Sequence, residues 1–466
     1  MKRRSFIQKS AVAGVGYMGL QSFLQSCSIS KPNYPYQSNL HPGYGSLRRD
    51  PKGIINLPKG FRYEVISRSG NRMNDGFLVP GMLDGMGTFP GRDGNIVVVR
   101  NHELAPGHIE IGAFDKNSAS LLNKIPKGKY YDFGNGHAPC LGGTTTFVYN
   151  PETMQIEREF LSLIGTIRNC AGGTTPWNTW LSCEEDVSSS GERFEKNHGY
   201  NFEIPVSEDG GIVDPIPLKA MGRFNHEAVA VHPTSGITYQ TEDRDDSLYY
   251  RFLPNQYGDL KKGGRLQALS LKELKYFDTR NWNESSMTIN TKYKVEWQDL
   301  EGADSLIDDL RYRGYAGGAA RFARGEGNYF SDGEIYFTCT SGGHKKLGQV
   351  FRYTPSPFEG QPNENEHPAT LELFVESNNE RLFRNCDNLT ATKLGDLIIC
   401  EDRPDARLIG ITSDGQVYHL AQNVGYRSEF TGVCFSPDGN TMFVNIQSPG
   451  LTLAVTGPWK ERVSIQ

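Results

Sequence analysis

Long apolar helical periodicities are absent from this 466-residue chain, while glycine and aromatic residues are plentiful, and together these favour an all-β fold. No basic stripe accompanies the mild net charge of -5, which excludes nucleic acid as a partner. Eight cysteines are too few to make a disulfide scaffold at this length. No serine-based nucleophile motif stands out. The length exceeds the roughly 100–200 residues of one ordinary domain. Repeat architectures escape that limit, because each unit packs only on its neighbours.

The N-terminus reads Lys2-Arg3-Arg4-Ser5-Phe6-Ile7-Gln8-Lys9, which resembles a twin-arginine export signal. The apolar run Ala11 to Leu24 is short and glycine-rich beside the roughly 20 residues a spanning helix needs. It is therefore set aside from the fold. Leu24-Gln25-Ser26-Cys27 partly matches a lipoprotein cleavage box. One reading lipidates Cys27 and anchors the chain; the other is a plain signal peptide cleaved near Ser30. The expected division is a signal over 1–27, a tether over 28–52 and a single catalytic domain over 53–466. The protein would be a monomer, facing the periplasm or held outside the cytoplasm as a lipoprotein.

Six segments of the mature chain share one plan. Each opens on an acid or a thiol, runs through an alternating strand, a tight turn and a second strand, and in most cases ends on another acid or polar residue. They open at Asp84, Cys170, Glu227, Glu326, Asp387 and Glu429. Turns such as "SPDGN" and "HPTSG" have hairpin chemistry. Opening and closing residues lie about 14 to 19 positions apart, the length of two short strands and a turn. Each hairpin therefore returns to the side it left. Six around an axis predict a six-bladed β-propeller, with inserted loops and short helices over one central mouth.

The hairpin ends collect Asp84, Glu103, Cys170, Glu184, Glu185, Glu227, Glu242, Asp243, Glu326, Asp387, Asn388, Glu401 and Asp402. One such acid is usually a solvated turn residue. Carboxylates gathered in one cleft cannot all stay ionised without cations. Hard cations such as calcium suit the oxygens, and a thiolate suits a transition metal. Cys170 alone would read as a small buried side chain. Cys183, Cys339, Cys400 and Cys434 read as core or disulfide partners, and Cys386 is ambiguous. His102 and His226 each precede a glutamate, so on a strand they face the other way and read as packing or support for the ligands. Arg324 either pairs with Glu326 or waits for a phosphoryl group, which arginine binds bidentately. Arg244 and Arg403 are weaker anion candidates and stronger salt-bridge partners.

The motifs "NCAGGTTPWNTWLSCEE", "NHEAVAVHP", "YQTEDRDDSLYYRFLP", "RFARGEG", "GQVFRY", "DNLT", "CED" and "SEFTGVCFSPDGNTMFVNIQSPGLTLAVTGPW" occur in that order. In them the chain resembles the PhoX family of alkaline phosphatases, over about residues 95 to 459. The resemblance implies a propeller phosphomonoesterase acting on small phosphate monoesters, with two irons (Fe3+) bridged by a cysteine thiolate and three calcium ions (Ca2+). Carried onto matching positions, Cys170 becomes the bridging thiolate, Glu242 and Glu326 become metal ligands, and Arg324 holds the substrate phosphate. Asp84, Glu103, Glu184, Glu227, Asp387 and Glu401 would hold calcium. The family's Arg-Phe-Glu stands here as Arg324-Gly325-Glu326. A calcium-dependent propeller lactonase would need the acids but neither the thiolate nor Arg324. A non-catalytic binding propeller would bind calcium without turnover.

Overall fold

The computed structural model describes residues 40–114 and 121–462. All six hairpins form. Their opening strands are β1 (Leu83–Pro90), β2 (Asn169–Thr174), β3 (His226–Val231), β4 (Gly325–Ser331), β5 (Cys386–Ala391) and β6 (Phe430–Phe435). Each packs against the next, and β6 packs against β1, so the opening strands close a ring. Outward from each, antiparallel neighbours follow in chain order, which gives a propeller-like, all-β arrangement.

The ladders form five separate sheets. β1 leads a four-stranded meander ending at Gln155–Thr166, and β2 a three-stranded one ending at Asn201–Pro205. The sheets begun by β3 and β4 are fused. The strand Lys292–Asp299 pairs with Gly264–Leu271 on one side and with Thr370–Glu376 on the other, joining their outer edges. The β6 sheet is completed by Arg62–Arg68 from the other end of the described chain, which pairs with Leu451–Thr456. That long-range pairing fastens the ring.

Apolar clusters fill the wedges between sheets. Leu408 and Tyr418 of the β5 sheet pack with Met442 and Leu453 of the β6 sheet. Strands buried on both faces read as near-continuous apolar runs, such as Leu397–Glu401, rather than as clean alternation. At about 25 cal/mol per Å² of apolar surface removed from water, these wedges hold the sheets together. The helical content is small; α1 (Leu310–Ala316) lies between the fused sheets in sequence.

The expected tether is too long at its C-terminal end. Tyr44 is buried, donates its hydroxyl to the Trp459 carbonyl at 3.1 Å and meets the Trp459 ring edge-on. Leu47–Arg48 pairs with Ile55–Pro58, which in turn extends the β5 sheet. The ordered body therefore includes residues 40–52, because Tyr44 and Leu57 supply apolar surface to its core. The twin-arginine segment and Cys27 lie outside the described residues. Among the described residues no helix is long and apolar enough to cross a membrane.

Candidate metal centre

A register break recurs at the same place in every opening strand. It falls between Leu83 and Met86, Asn169 and Gly172, His226 and Val229, Gly325 and Asn328, Cys386 and Leu389, and Thr431 and Cys434. Such a bulge leaves residues without a cross-strand partner, bends the strand and re-aims a side chain. The first residue in each bulge is Asp84, Cys170, Glu227, Glu326, Asp387 and Gly432, in turn. Five of these six carry a metal-ligating group, so the bulges build an inner ring.

A second ring comes from the residue just past each return strand. The backbone N–H groups of Glu103, Glu185, Asp243, Thr340 and Asp402 donate to the carbonyls of Met82, Arg168, Asn225, Arg324 and Asn385. The sixth member, the Gln447 N–H, donates to the Glu429 carbonyl at 3.4 Å. Those acceptors make a third ring: Met82, Arg168, Asn225, Arg324, Asn385 and Glu429. The sixth hairpin, whose bulge offers only Gly432, thus brings a carboxylate to the third ring.

Ligand atoms of Asp84, Glu103 and Cys170 lie within 4.8 Å of one another. The same holds for Cys170, Glu185 and Glu227, and for Glu227, Glu326 and Asp387. Shared members join the groups into one continuous cluster. Asp84, Glu227, Glu326 and Asp387 are all buried. Gln447 donates from Nε2 to Asp84 at 3.2 Å and to Glu103 at 3.0 Å. Both Glu227 carboxylate oxygens and Oδ1 of Asp84 are buried without any hydrogen-bond partner among the described residues. Unpaired buried carboxylates are costly. Burial first, and then the neighbouring carboxylates, push the carboxyls of Asp84, Glu227, Glu326 and Asp387 well above their ordinary range. Burial and Asp243 do so for Glu185, and burial and Asp402 for Glu429. The Cys170 thiol is likewise pushed up by burial and by Asp84, Glu227, Glu103 and Glu185. A cation reverses this logic, holding carboxylates ionised and deprotonating a thiol. The donor set, hard oxygens around one thiol, fits a mixed metal cluster.

Three expected ligands lie outside the cluster. Glu184 accepts from the backbone N–H of Ile167 at 3.0 Å and of Gly199 at 2.9 Å, and contacts His198 Nδ1 at 2.7 Å. Glu242 accepts from the Tyr250 hydroxyl at 2.8 Å and lies 3.5 Å from Arg311; burial raises its carboxyl to about 7. Glu401 accepts from Arg407 Nε at 2.8 Å and from the Arg384 N–H at 2.7 Å. The cause is strand parity. Each is the last strand residue, paired with the residue before a bulge: Asn169 with Glu184, His226 with Glu242, Cys386 with Glu401. Their side chains turn into the sheet packing, and the following residues, Glu185, Asp243 and Asp402, take the place in the second ring. In the first hairpin the corresponding pair is His102 and Glu103, so Glu103 does join the cluster.

His102 and His226 are buried supports. His102 contacts the Gly81 carbonyl and Thr145, and His226 contacts the Gly222 carbonyl at 3.0 Å. Burial lowers both imidazoles, that of His226 to about 3, which keeps them neutral. Cys183, Cys339, Cys400 and Cys434 are buried free thiols, the core alternative of the two readings, and Cys386 is buried and free as well.

Arg324 sits at the mouth in the left-handed backbone region, at φ 52°. Its Nε and Nη2 donate to Asp243 at 2.8 and 2.9 Å, and Nη2 also donates to Glu326 at 2.8 Å. Asp402 lies 3.8 Å from Nη1. Arg244 and Arg403 instead donate to the amide oxygens of Asn225 and Asn385.

Asp132, Cys140 and His198 form a further buried group with ligand atoms within 4.8 Å. Here the polar atoms satisfy each other. His198 contacts Glu184 at 2.7 Å and Asp132 at 3.2 Å, and Asp132 also accepts from the N–H groups of Gly134 and Lys196. Burial would lower the imidazole, but the Glu184 charge and the bond to Asp132 outweigh it and raise it to about 12. The folded value exceeds the ordinary 6.5, so this stabilisation is complete below about pH 6.5 and is lost as pH rises through about 12. Removing one partner of a buried pair costs about 3–5 kcal/mol. His198→Leu is therefore expected to lower the unfolding free energy by that much at pH 7, read as a lower urea midpoint, without changing bound metal. A midpoint within experimental error of wild type would contradict this account.

A cavity of about 650 Å³ opens at the other end of the same six strands, lined by residues such as Thr88, Val231, Ser331, Ala391 and Phe435. It contains none of the clustered acids, so the chemistry is assigned to the acid-lined end.

Residues 42–450 match the model of a family described as alkaline phosphatase PhoX. No curated protein matches the chain. A solved structure of Pseudomonas fluorescens PhoX, in complex with vanadate, a transition state analogue, is similar at a TM-score of 0.66 and 19% identity, over 90% of this chain and 98% of that one. At this identity the likeness shows the fold. A gluconolactonase from Xanthomonas campestris (TM-score 0.40, 11% identity, 89% and 100% covered) and a putative 6-phosphogluconolactonase from Bacteroides uniformis (TM-score 0.39, 11% identity, 83% and 89% covered) are more distant.

Proposed function

We infer the details of the reaction from one premise: this chain belongs to the alkaline phosphatase PhoX family. The protein is a metal-dependent phosphomonoesterase that releases inorganic phosphate from small phosphate esters. Its six hairpins are six blades, two of them fused through Lys292–Asp299, with the inserts over the mouth. The N-terminal segment directs export by the twin-arginine route, and the catalytic body faces the periplasm as a monomer. Lipidation of Cys27 would anchor it there.

The observation that carries the metal reading is Glu227, a buried carboxylate with both oxygens unpaired inside a continuous ring of acids and one thiol. Calcium (Ca2+) suits the oxygens and a transition metal the thiolate, and the family resemblance makes that metal iron (Fe3+). Cys170, Asp84, Glu103, Glu185, Glu227, Glu326 and Asp387 would hold the ions. Bound there, the ions would supply Lewis acidity toward phosphoryl oxygens and acidify a water. Arg324 presents its fork from a backbone fixed between β4 and the Thr340 N–H. With Glu326 held as a metal ligand, the Arg324 fork would turn toward a phosphoryl group, whose developing equatorial charge it would neutralise.

The test follows p-nitrophenyl phosphate hydrolysis at alkaline pH by wild type and Glu326→Ala, with and without a calcium chelator. Wild-type turnover should vanish on chelation and return with calcium, while Glu326→Ala should retain neither metal nor turnover. Full activity in Glu326→Ala would sink the site assignment.

A further inference from the structure

The geometry points to Arg168 as a second guanidinium that holds the phosphoryl oxygens, facing Arg324 across two carboxylates. This deepens the phosphatase reading and rests on it.

Arg168 and Arg324 occupy the same position of two different hairpins. Each stands two residues before an inner-ring ligand, Cys170 or Glu326, and each carbonyl accepts the N–H of a second-ring residue, Glu185 or Thr340. Both backbones are left-handed, at φ 47° and 52°. Met82 and Asn385 share that conformation, so the turn belongs to the repeat and not to the arginines. What the two positions share beyond it is a guanidinium aimed into the cluster. Arg168 donates from Nε and Nη2 to Glu103 at 2.9 and 2.7 Å, and from Nη2 to Glu185 at 2.5 Å. Their side chains are similarly open, 38% exposed for Arg168 and 31% for Arg324.

Two positive charges bracket one acidic arc of the mouth. Arg168 holds Glu185, Glu185 feels Asp243, and Asp243 holds Arg324. Two carboxylates thus separate two guanidinium groups. Glu103 and Glu185 each belong to a metal-ligand group with Cys170. Where their oxygens turn onto cations, Arg168 loses the charge it now pairs with and needs another anion. A phosphoryl group bridging both forks supplies it, since its several oxygens can meet two planar donors at once. Arg244 and Arg403, which donate to asparagine amides, do not stand in this arc.

The alternative role is a clamp that only positions Glu103 and Glu185. Calorimetric binding of inorganic phosphate to the metal-loaded full chain separates the two, with metal content measured on the same samples. Wild type, Arg168→Gln, Arg168→Lys and Arg324→Gln are compared. Arg168→Gln should weaken phosphate at least fivefold with metal per chain unchanged, as Arg324→Gln does. Arg168→Lys, which keeps the charge but not the fork, should recover only part. A change below fivefold with metal retained overturns the proposal. So does loss of metal in both Arg168 variants, which would make Arg168 a clamp. Failure of the wild type itself to bind phosphate or hydrolyse ester would strike the phosphatase reading beneath it, and is visible before any variant is made.

Discussion

Replacing Glu227 by its uncharged isostere, Glu227→Gln, is expected to change the sign of its effect on stability according to whether cations are present. In chelator the variant should be more stable than wild type, by about 1–3 kcal/mol, because a buried unpaired carboxylate is removed from among its like charges. Its four strongest charged neighbours, Glu326, Glu185, Asp387 and Asp84, all oppose ionisation at this position. An amide there also offers an N–H donor to those carboxylates. With calcium and iron supplied the order should reverse, since a metal ligand is missing and the binding energy that stabilises the fold is reduced. Turnover should fall at least about 100-fold, more than an outer-shell change typically costs. Denaturant midpoints measured with and without chelator test this directly. If Glu227→Gln loses stability equally in both, Glu227 is an ordinary structural acid and the cluster is not a metal site.

The inner ring could be read from sequence because each of its members opens a hairpin, and a bulge follows at a fixed place. Asp84, Cys170, Glu227, Glu326 and Asp387 therefore share a sequence position as well as a place in space. The second ring was harder, because three return strands end on two consecutive acids: Glu184-Glu185, Glu242-Asp243 and Glu401-Asp402. Composition cannot choose between neighbours, and only the register with the opening strand fixes which side chain turns inward. In the first hairpin the pair is His102-Glu103, a histidine and one acid, and there the right residue stands out. Glu429 is displaced by one residue relative to its counterparts, since Phe430 and Thr431 precede the bulge at Gly432. Arg168 carries no sequence signal of its own, since it stands one residue outside the motif that opens at Asn169. Its role emerges only when its place is matched to Arg324. The fused sheets were hidden for a different reason. Lys292–Asp299 lies in what reads as a long insert, and its partner Thr370–Glu376 is a long-range pairing that local pattern does not encode.

The cluster also predicts how pH acts on the protein stripped of metal. Asp84, Glu185, Glu227, Glu326, Asp387 and Glu429 all have carboxyls raised by burial and by one another. In the unfolded chain these groups titrate near pH 4. The folded state therefore keeps protons that the unfolded state has released. Stability from protonated carboxyls is fully present below about pH 4 and is lost as pH rises through the raised folded values. Each extra proton held by the fold contributes a slope of about 1.4 kcal/mol per pH unit. Cations invert this dependence, because they bind the deprotonated ligands and bind them more tightly as protons leave. The chelated protein should thus weaken steadily from pH 5 to pH 9 while the calcium- and iron-loaded protein holds or gains. His198 acts alike on both curves and does not affect their difference. Parallel curves in unfolding experiments with and without chelator would mean that the acids are not cation ligands. Diverging curves would mean that alkaline conditions are those in which this carboxylate-rich mouth most needs its ions and holds them most firmly.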